Sequence, residues 1–228
     1  MEAIILAGGF GTRLRAVVPD VPKPMAPVAG RPFLELLLRN LSCQGVRRVV
    51  LSLGYKAEVI TNHFGHRYRD MALAYAIEDT PLGTGGAVRQ ALSYCHSDRA
   101  VVLNGDTYLE VEISRLEDLW RKNGQPLIVA REVADTARYG RLEAKNDRVI
   151  RFAEKAASGP GLINVGCYLF PKHLLNAFPL GQPFSLEQDF LVGAVQREPF
   201  GLFVTCGRFI DIGVPEDYAR AQVELAAL

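Results

Sequence analysis

The chain has 228 residues, a length that fits one large domain, since a single hydrophobic core stops growing near roughly 250 to 300 residues. Hydrophobic residues make up 49% of the sequence and charged residues 22%, a composition typical of globular proteins and not of disordered ones. Lysine and arginine number 26 against 25 aspartates and glutamates, a balance that argues against a duplex-binding footprint and a polybasic membrane anchor. We therefore expect no nucleic-acid or membrane partner, and any anionic ligand must meet a local cluster of cations.

The four cysteines, Cys43, Cys95, Cys167 and Cys206, are widely separated and include no C-x-x-C pair. This spacing favours neither a zinc cage nor a dense disulfide framework, so we expect four buried, reduced thiols. The apolar run at residues 3–7 is too short for the core of a signal peptide or for a membrane-spanning helix. The sequence therefore predicts a cytoplasmic location.

Short β-branched and leucine-rich runs alternate with segments of helical period, a pattern typical of an α/β sheet with helices on its faces. The first half is predicted to form a parallel sheet, with strands at 3–6, 49–53, 73–77 and 100–103 and helices at 32–43, 57–64 and 86–94. After residue 105 we expect a mixed sheet, with a helix at 114–122, short runs at 127–131, 141–144, 148–152, 162–170 and 202–205, and helices at 171–177, 186–195 and 215–225.

A glycine-rich stretch directly follows the first strand, because residues 6–14 read L-A-G-G-F-G-T-R-L and P-K-P-M follows at 22–25. Glycines after a buried strand let backbone N–H groups approach a phosphate closely, and Arg13 and Lys23 supply the positive charge that polyphosphate requires. The spacing matches neither the Walker pattern nor the dinucleotide fingerprint, since residue 14 is leucine. We interpret the stretch as a triphosphate-binding loop; the alternative is a glycine-rich turn with two solvated cations.

These motifs resemble those of the sugar-1-phosphate nucleotidyltransferases, whose signature is L-A-G-G-x-G-T-R-L followed by P-K-P. The resemblance continues in the family's order through residues 78–87, 104–106, 138–140, 154–155, 164–166 and 211–215. It implies a three-layer, Rossmann-like α/β fold with a mixed, mostly parallel central sheet. It also implies attack by a sugar 1-phosphate oxygen on the α-phosphorus of a nucleoside triphosphate, which releases pyrophosphate.

The chain stops soon after the helix predicted at 215–225, whereas many relatives add a left-handed β-helix at the C-terminus. We therefore expect residues 1–228 to form a single nucleotidyltransferase catalytic domain without that β-helix. The oligomeric state stays open, and a homo-oligomer is compatible with the sequence.

The resemblance also implies roles for individual residues. Those expected to bind the nucleotide are Leu6, Ala7, Gly8, Gly9, Gly11, Thr12, Arg13, Lys23, Glu78 and Gly83. Those expected to bind the sugar phosphate are Asn104, Gly105, Tyr139, Glu154, Lys155 and Asn164. Arg13 is expected to stabilise the departing pyrophosphate and Lys23 to bridge phosphate oxygens at the reacting centre, so that with Asp106 they form the catalytic set.

Two aspartates follow apolar runs and are candidate magnesium ligands. Asp106 comes after the strand at 100–103, at the carboxyl end of the sheet where open α/β folds bind ligands, and Asp211 similarly follows residues 209–210. A lone aspartate in a loop more often forms an Asx-turn. Two hard carboxylates beside substrate phosphates and waters are, however, a typical Mg²⁺ environment, and the matching motifs favour that role.

The nucleotide base is expected to be read by Glu78, which is matched to a position where several thymidylyl and uridylyl members carry glutamine. A carboxylate only accepts hydrogen bonds, and guanine offers N1–H and N2–H side by side, so Glu78 favours GTP. The alternative is that Glu78 points to solvent or caps the following loop. Within the family, the chain most resembles D-glycero-α-D-manno-heptose 1-phosphate guanylyltransferases, and mannose-1-phosphate guanylyltransferases are the nearest rivals.

Two alternatives belong to other classes of protein. A catalytically inactive subunit that senses nucleotide sugars would keep the fold but lose catalytic residues, whereas Arg13, Lys23, Asp106 and Asp211 are all present. A glycosyltransferase on a related fold usually carries an Asp-x-Asp motif, and residues 104–106 read N-G-D, without the first acid. The expected partners are therefore GTP and a sugar 1-phosphate.

Overall fold

The computed structural model describes residues 1–9, 14, 18, 21–153 and 159–228. The strands are β1 (Glu2–Leu6), β2 (Pro27–Val28), β3 (Arg31–Pro32), β4 (Arg48–Leu53), β5 (Arg67–Tyr68), β6 (Met71–Ile77), β7 (Arg99–Asn104), β8 (Thr107–Leu109), β9 (Leu127–Val133), β10 (Arg141–Lys145), β11 (Arg148–Ala153), β12 (Gly161–Pro171), β13 (Phe200–Val204) and β14 (Phe209–Asp211). The α-helices are α1 (Phe33–Cys43), α2 (Ala57–Phe64), α3 (Gly83–Ser93), α4 (Ile113–Asn123), α5 (Val192–Arg197) and α6 (Pro215–Glu224). A 3-10 turn spans Lys23–Met25 and a π-helical turn spans Leu186–Leu191. In the part of the chain just defined, every helix is too short or too polar to cross a membrane.

Ten strands form one mixed sheet, in the order β10-β11-β13-β9-β12-β7-β1-β4-β6-β5. The strands β7, β1, β4 and β6 are parallel neighbours, and Ile4 of β1 lies opposite Val102 on one side and Val50 on the other. The long strand β12 runs antiparallel to both β7 and β9, while β13 is parallel to β9. The predictions of a parallel first half and a mixed second half are confirmed.

Helices cover both faces of the sheet because successive side chains of a strand point to opposite sides. Ile5 of β1 packs in one apolar cluster with Leu34 of α1, and residues of α2, α4 and α6 belong to the same cluster. Ile4 packs in a second cluster with Val88 of α3, which residues of α5 also join. The result is the predicted three-layer α/β arrangement.

The helix predicted at 171–177 is not formed, although these residues are all described. β12 continues through Pro171, and the chain then makes successive turns in which the Leu174 N–H donates to the Pro171 carbonyl at 3.1 Å and the Phe178 N–H to the Leu175 carbonyl at 3.0 Å. Leu175 is fully buried, and Leu174 and Phe178 pack against the same apolar cluster, so the segment is anchored without a helix. The pattern at 186–195 is divided between the π-helical turn and α5, so that prediction was only partly right.

All four cysteines are free, but the expectation that all are buried was wrong. Cys95 and Cys167 are buried, whereas Cys43, at the last turn of α1, and Cys206, after β13, are exposed. Burial raises the pKa of the Cys95 thiol to about 12 and also raises that of Cys167. The two interior thiols therefore stay protonated and pack as small apolar groups.

Candidate active site

A cleft of about 390 Å³ opens at the carboxyl ends of the parallel strands. Its lining includes the described residues that were predicted to bind the nucleotide, namely Leu6, Ala7, Gly8, Gly9, Lys23, Glu78 and Gly83. Gly11, Thr12 and Arg13, predicted for the same role, lie outside the described residues. The parallel strands therefore bring the two ends of the described nucleotide set, residues 6–9 and 78–83, to one opening.

Glycines at the floor of this cleft allow backbone segments to touch. A Cβ on Gly8 would lie 2.9 Å from Glu78 Oε1 and 3.2 Å from the Gly54 nitrogen. A Cβ on Gly105 would lie 2.5 Å from the Leu6 carbonyl oxygen, which accepts the Gly105 N–H at 2.8 Å. A side chain at residue 105 would push the end of β1 away, and one at residue 8 would displace the Glu78 carboxylate, so these glycines set the shape of the cleft floor.

A second cavity, of about 200 Å³, adjoins the cleft and shares Leu6, Thr84 and Asn104 with its lining. Three residues predicted for the sugar phosphate, Asn104, Tyr139 and Asn164, line this second cavity. Gly105, from the same predicted set, lines the cleft instead. Glu154 and Lys155, the remaining members, lie outside the described residues.

Polar groups converge on one wall of the second cavity. The Asn164 Nδ2 donates to the Tyr168 hydroxyl at 2.8 Å and to Glu187 Oε2 at 3.0 Å. Asn104 lies against Gly166, where φ is +68° and a Cβ would come within 2.1 Å of the Asn104 Nδ2. These amide, hydroxyl and carboxylate groups can exchange hydrogen bonds with sugar hydroxyls.

Glu187 and Tyr168 line the second cavity and were missing from the predicted site. The signal for Glu187 is the S-L-E run at 185–187, which resembles a serine-leucine-glutamate segment of the family, although an N-cap alone would explain Ser185. Ser185 does cap the π-helical turn, because its hydroxyl oxygen accepts the Gln188 N–H at 3.2 Å. This π-helical turn places Glu187 at the second cavity.

Lys23 and Asp106 form an ion pair in the cleft. The Lys23 ammonium donates to Asp106 Oδ2 at 2.7 Å, and the exposed fractions of the two side chains are 12% and 38%. Lys23 is held by the 3-10 turn, in which the Met25 N–H donates to the Pro22 carbonyl at 2.7 Å. The lysine thus serves as counterion to the carboxylate.

Asp211 is brought beside Asp106 by the pairing of β14 with β8. Asp211 lies opposite Thr107, and the Ile212 N–H donates to the Asp106 carbonyl at 2.9 Å. Burial raises the pKa of the Asp211 carboxyl, the negative charge of Asp106 raises it further, and Lys23 acts in the opposite direction. Two carboxylates close enough to repel each other attract a cation more strongly than either does alone.

The donor set at this point suits Mg²⁺. The described residues contain no group of three or more histidine, cysteine, aspartate or glutamate side chains arranged around a common point. Mg²⁺ is commonly held by one or two carboxylates, with substrate phosphates and waters as the other ligands. Asp106 and Asp211 supply those two carboxylates at the boundary of the two cavities, so the residues present fit the ion.

Glu78 is anchored by the loop that it was predicted to precede. Its Oε2 accepts the Leu82 N–H at 2.9 Å, and its Oε1 accepts the Ser52 hydroxyl at 3.3 Å. The contact with the Leu82 N–H therefore agrees with the alternative in which Glu78 caps the following loop. Each carboxylate oxygen has two lone pairs, and Glu78 lines the cleft, so it retains acceptor capacity toward a ligand.

The start of α3 is fitted closely against the segment before the π-helical turn. Gly83 has φ +66°, and a Cβ there would lie 2.6 Å from the Phe184 carbonyl oxygen. That carbonyl accepts the Gly85 N–H at 2.9 Å, and the Phe184 N–H donates to the Leu82 carbonyl at 3.0 Å. Gly83 therefore has a packing function in addition to lining the cleft.

Residues 2–227 match the family described as Nucleotidyl transferase, and the chain belongs to this family. A D-glycero-α-D-manno-heptose 1-phosphate guanylyltransferase from Aneurinibacillus thermoaerophilus is 42% identical over 226 residues, which cover 99% of this chain and 98% of the relative. The crystal structure of HddC from Yersinia pseudotuberculosis complexed with GMP-PN is similar, with a TM-score of 0.86 and 39% identity over 98% of this chain and 99% of that chain. A mannose-1-phosphate guanylyltransferase from Mycobacterium tuberculosis is 33% identical, over 99% of this chain and 64% of that protein. The predicted family and fold are confirmed.

Proposed function

We propose that the chain transfers a guanylyl group from GTP to D-glycero-α-D-manno-heptose 1-phosphate, giving a nucleotide-activated heptose and pyrophosphate. The observation that carries the proposal is the Lys23–Asp106 pair, with Asp211 beside it, at the boundary of two adjoining cavities. Two anionic substrates react in line at such a boundary only if their charges are neutralised and their atoms are aligned. The similarity to heptose and mannose guanylyltransferases supports the choice of reaction.

The larger cleft takes the nucleotide. Backbone groups of Gly8 and Gly9 face the phosphates, and Lys23 leaves Asp106 to hold phosphate oxygens at the reacting centre. Arg13, Gly11 and Thr12 complete the phosphate-binding set, with Arg13 stabilising the departing pyrophosphate. Positive charge placed where negative charge develops is the main source of acceleration in this type of transfer.

The smaller cavity takes the sugar phosphate. Asn104, Tyr139 and Asn164 contact the sugar, since amides and a phenol ring can meet hydroxyl groups without adding charge. Glu154 binds sugar hydroxyls and Lys155 binds the sugar phosphate. The phosphate oxygen then enters the boundary near Asp106 and faces the α-phosphorus.

Asp106 and Asp211 hold Mg²⁺, which when bound neutralises phosphate charge and orients the phosphate oxygens. A bound ion would balance the charge of Asp106, and Lys23 would then be available to the substrate phosphates. The carboxylates therefore act by positioning charge, and neither needs to exchange a proton.

Glu78 selects guanine by accepting from N1–H and N2–H while keeping its contact with the Leu82 N–H. Mannose 1-phosphate is the second candidate acceptor, on the strength of the 33% identical mannose-1-phosphate guanylyltransferase. We further propose that residues 1–228 act as one catalytic domain and that the reaction takes place in the cytoplasm. The continuous family match over residues 2–227 supports the first point, and the four free cysteines support the second.

The test is a matrix of purified protein with Mg²⁺, four nucleoside triphosphates and several sugar 1-phosphates, read by pyrophosphate release. We expect the highest kcat/KM with GTP and the manno-configured heptose 1-phosphate, and a lower value with mannose 1-phosphate. Heat-denatured protein and reactions without acceptor are the controls. The proposal is wrong if no pair releases pyrophosphate, or if GTP is consumed equally fast without an acceptor.

A further inference from the structure

Asp217 is a buried carboxylate that none of the assigned substrate contacts uses. It lies in the first turn of α6, and 3% of its surface is exposed. Its Oδ2 accepts from the Arg138 guanidinium at 2.5 Å, and its Oδ1 pairs with Arg220 at 3.0 Å. Burying a charge is costly unless it is paired, and two arginines pair with this carboxylate.

The Arg220 pair is local to α6, because residues 217 and 220 are one turn apart and Arg220 also contacts Glu224 at 3.2 Å. The Arg138 pair is different, since it joins α6 to the loop between β9 and β10, 79 residues away along the chain. The Arg138 side chain is 57% exposed, so burial does not fix its position. The long-range pair therefore connects α6 to the loop that carries Tyr139.

On the loop side, Arg138 immediately precedes Tyr139, whose ring lines the second cavity. The Tyr139 ring packs edge-on against Phe209 with centroids 5.8 Å apart, and the Arg138 guanidinium lies 5.9 Å from the Tyr139 ring centroid. Phe209 and Asp211 are two residues apart on β14, so their side chains share a face. Tyr139 is thus held between a cation and the strand that carries Asp211.

On the helix side, the five residues 212–216 separate Asp217 from Asp211. Ile212 is fully buried, and the Gly213 N–H donates to Asp211 Oδ1 at 2.7 Å. The start of α6 is therefore fixed relative to Asp211. An ion pair from Asp217 to Arg138 then fixes the loop relative to the same carboxylate.

The loop has a second attachment, at the end of the connection that leads into β12. Asp135 Oδ1 accepts the Ala137 N–H at 3.0 Å and the Gly159 N–H at 3.2 Å, and the Thr136 N–H donates to the Gly159 carbonyl at 3.0 Å. The loop is tied to residue 159 at one end and, through Arg138, to α6 at the other. The Tyr139 N–H also donates to the Thr136 carbonyl at 2.9 Å, and the Gly140 carbonyl accepts the Asn164 N–H at 3.1 Å. These bonds fix the backbone at Tyr139, and the Arg138 pair adds a side-chain contact beside its ring.

We propose that Asp217 and Arg138 are positioning residues that hold Tyr139 at the sugar-phosphate cavity in a fixed relation to Asp211. This inference rests on the proposed function, because it assigns the pair to the binding of the sugar 1-phosphate and not to that of the nucleotide. The pair touches neither substrate. Its contribution is to limit the positions that the Tyr139 ring can adopt.

The test compares D217N, R138Q, the double variant, and R220Q as the matched control. R220Q removes the other partner of the same carboxylate and leaves the loop attached. For D217N and R138Q we expect KM for the sugar 1-phosphate to rise by roughly three- to tenfold while KM for GTP changes less than about twofold, as befits a coupling of modest size. The double variant should resemble the single variants, because both remove one interaction.

A second readout does not need turnover. Chymotrypsin cleavage after Tyr139, followed by fragment mass, should be several-fold faster in D217N and R138Q than in wild-type protein and R220Q. R138Q replaces a largely exposed side chain, so it tests the pair even if D217N folds poorly. Unchanged cleavage in R138Q, or equal effects on both KM values, would overturn the inference. Faster cleavage in a protein that shows no activity with any substrate would instead contradict the proposed function and leave the attachment of the loop intact.

Discussion

The Lys23 ammonium lies 2.7 Å from Asp106 Oδ2, so a cation of the chain itself lies at the place where a divalent ion and a triphosphate are proposed to meet. Lys23 balances the charge of Asp106, and Mg²⁺ at the same carboxylate would supply that positive charge in its place. The relationship predicts that lysine and metal compete for the same carboxylate.

Replacing Lys23 by methionine removes this cation while keeping most of the side-chain volume. We expect kcat to fall by roughly 10²- to 10³-fold, because a donor aimed at developing charge is lost. The apparent affinity for Mg²⁺ should rise, since the competing ammonium is gone. Steady-state kinetics across a Mg²⁺ titration measures both, with Lys122→Met on the exposed face of α4 as the control.

An unchanged kcat in the Lys23 variant would show that the ion pair is structural. A loss of kcat accompanied by a large drop in melting temperature would point the same way. The control variant should match the wild-type protein in both measurements.

The two aspartates should be essential for turnover but not for folding. Asp106→Asn and Asp211→Asn are each expected to reduce Mg²⁺-dependent pyrophosphate release below about 1% of wild type, because charge stabilisation by the bound ion is lost. Asp211→Asn should leave the melting temperature equal or slightly higher, since it removes a buried charge that Asp106 repels. Asp70→Asn, whose side chain is 84% exposed, is the matched control.

Folding collapse in either aspartate variant, seen by circular dichroism, would assign these acids to the core and not to the metal. Activity that survives in both variants would remove Mg²⁺ from this position.

Chelation gives an independent check of the same site. Excess EDTA should abolish turnover, and added Mg²⁺ should restore it, while the far-ultraviolet circular dichroism stays constant because Lys23 pairs with Asp106 and the Gly213 N–H donates to Asp211. Turnover that continues in EDTA would contradict the metal assignment.

The position of Asp211 illustrates what the sequence could not provide. The motif placed Asp211 after an apolar run, but its approach to Asp106 depends on the pairing of β14 with β8, two strands of three residues each. Such short strands carry too little hydrophobic alternation to be recognised, and their partners are about a hundred residues apart in the chain. The Arg138–Asp217 pair could not be recognised either, because its two residues are 79 positions apart in the chain and no local pattern links them.

Local signals were more informative. The helix predicted at 57–64 coincides with α2, which ends at Gly65 with φ +58°. The strand that precedes the glycine-rich loop was equally clear, because an apolar run ending in glycines is a local pattern. Glu187 was missed because the S-L-E run admitted a capping explanation for Ser185 alone, and nothing local indicated which way the next acid would face.

Glu78→Gln tests base selection with little structural disturbance. The glutamine carbonyl can still accept the Leu82 N–H, and its amide can donate to the Ser52 hydroxyl, so the loop should keep its place. We expect kcat/KM for GTP to fall by about tenfold or more relative to UTP, because a double acceptor becomes one acceptor and one donor. Glu143→Gln on β10 is the control.

A GTP to UTP ratio that stays constant in Glu78→Gln would remove this side chain from base reading and leave it only the loop-capping role. The ratio must be measured at fixed sugar 1-phosphate, so that a general loss of activity cannot imitate a change of preference.

A comparison of Gly83 with Gly124 separates the effect of backbone strain on stability from the effect of steric fit. Their φ angles are +66° and +62°, but a Cβ would meet the Phe184 carbonyl at 2.6 Å in the first case and would have no neighbour within 4 Å among the described atoms in the second. Gly124→Ala should lower the free energy of unfolding by about 1 kcal/mol, and Gly83→Ala by about 3 kcal/mol. Urea unfolding measures both; equal losses would mean that α3 shifts away from Phe184 at little cost.

The most direct test of the account is a crystal structure of the protein with Mg²⁺, an unreactive GTP analogue and the heptose 1-phosphate. We expect one Mg²⁺ at about 2.1 Å from oxygens of both Asp106 and Asp211, which is the usual distance for this ion. The Lys23 ammonium should lie on a phosphate oxygen, and the sugar should lie beside Tyr139 and Asn164. A triphosphate bound away from Lys23, or two aspartates that share no cation, would contradict the account.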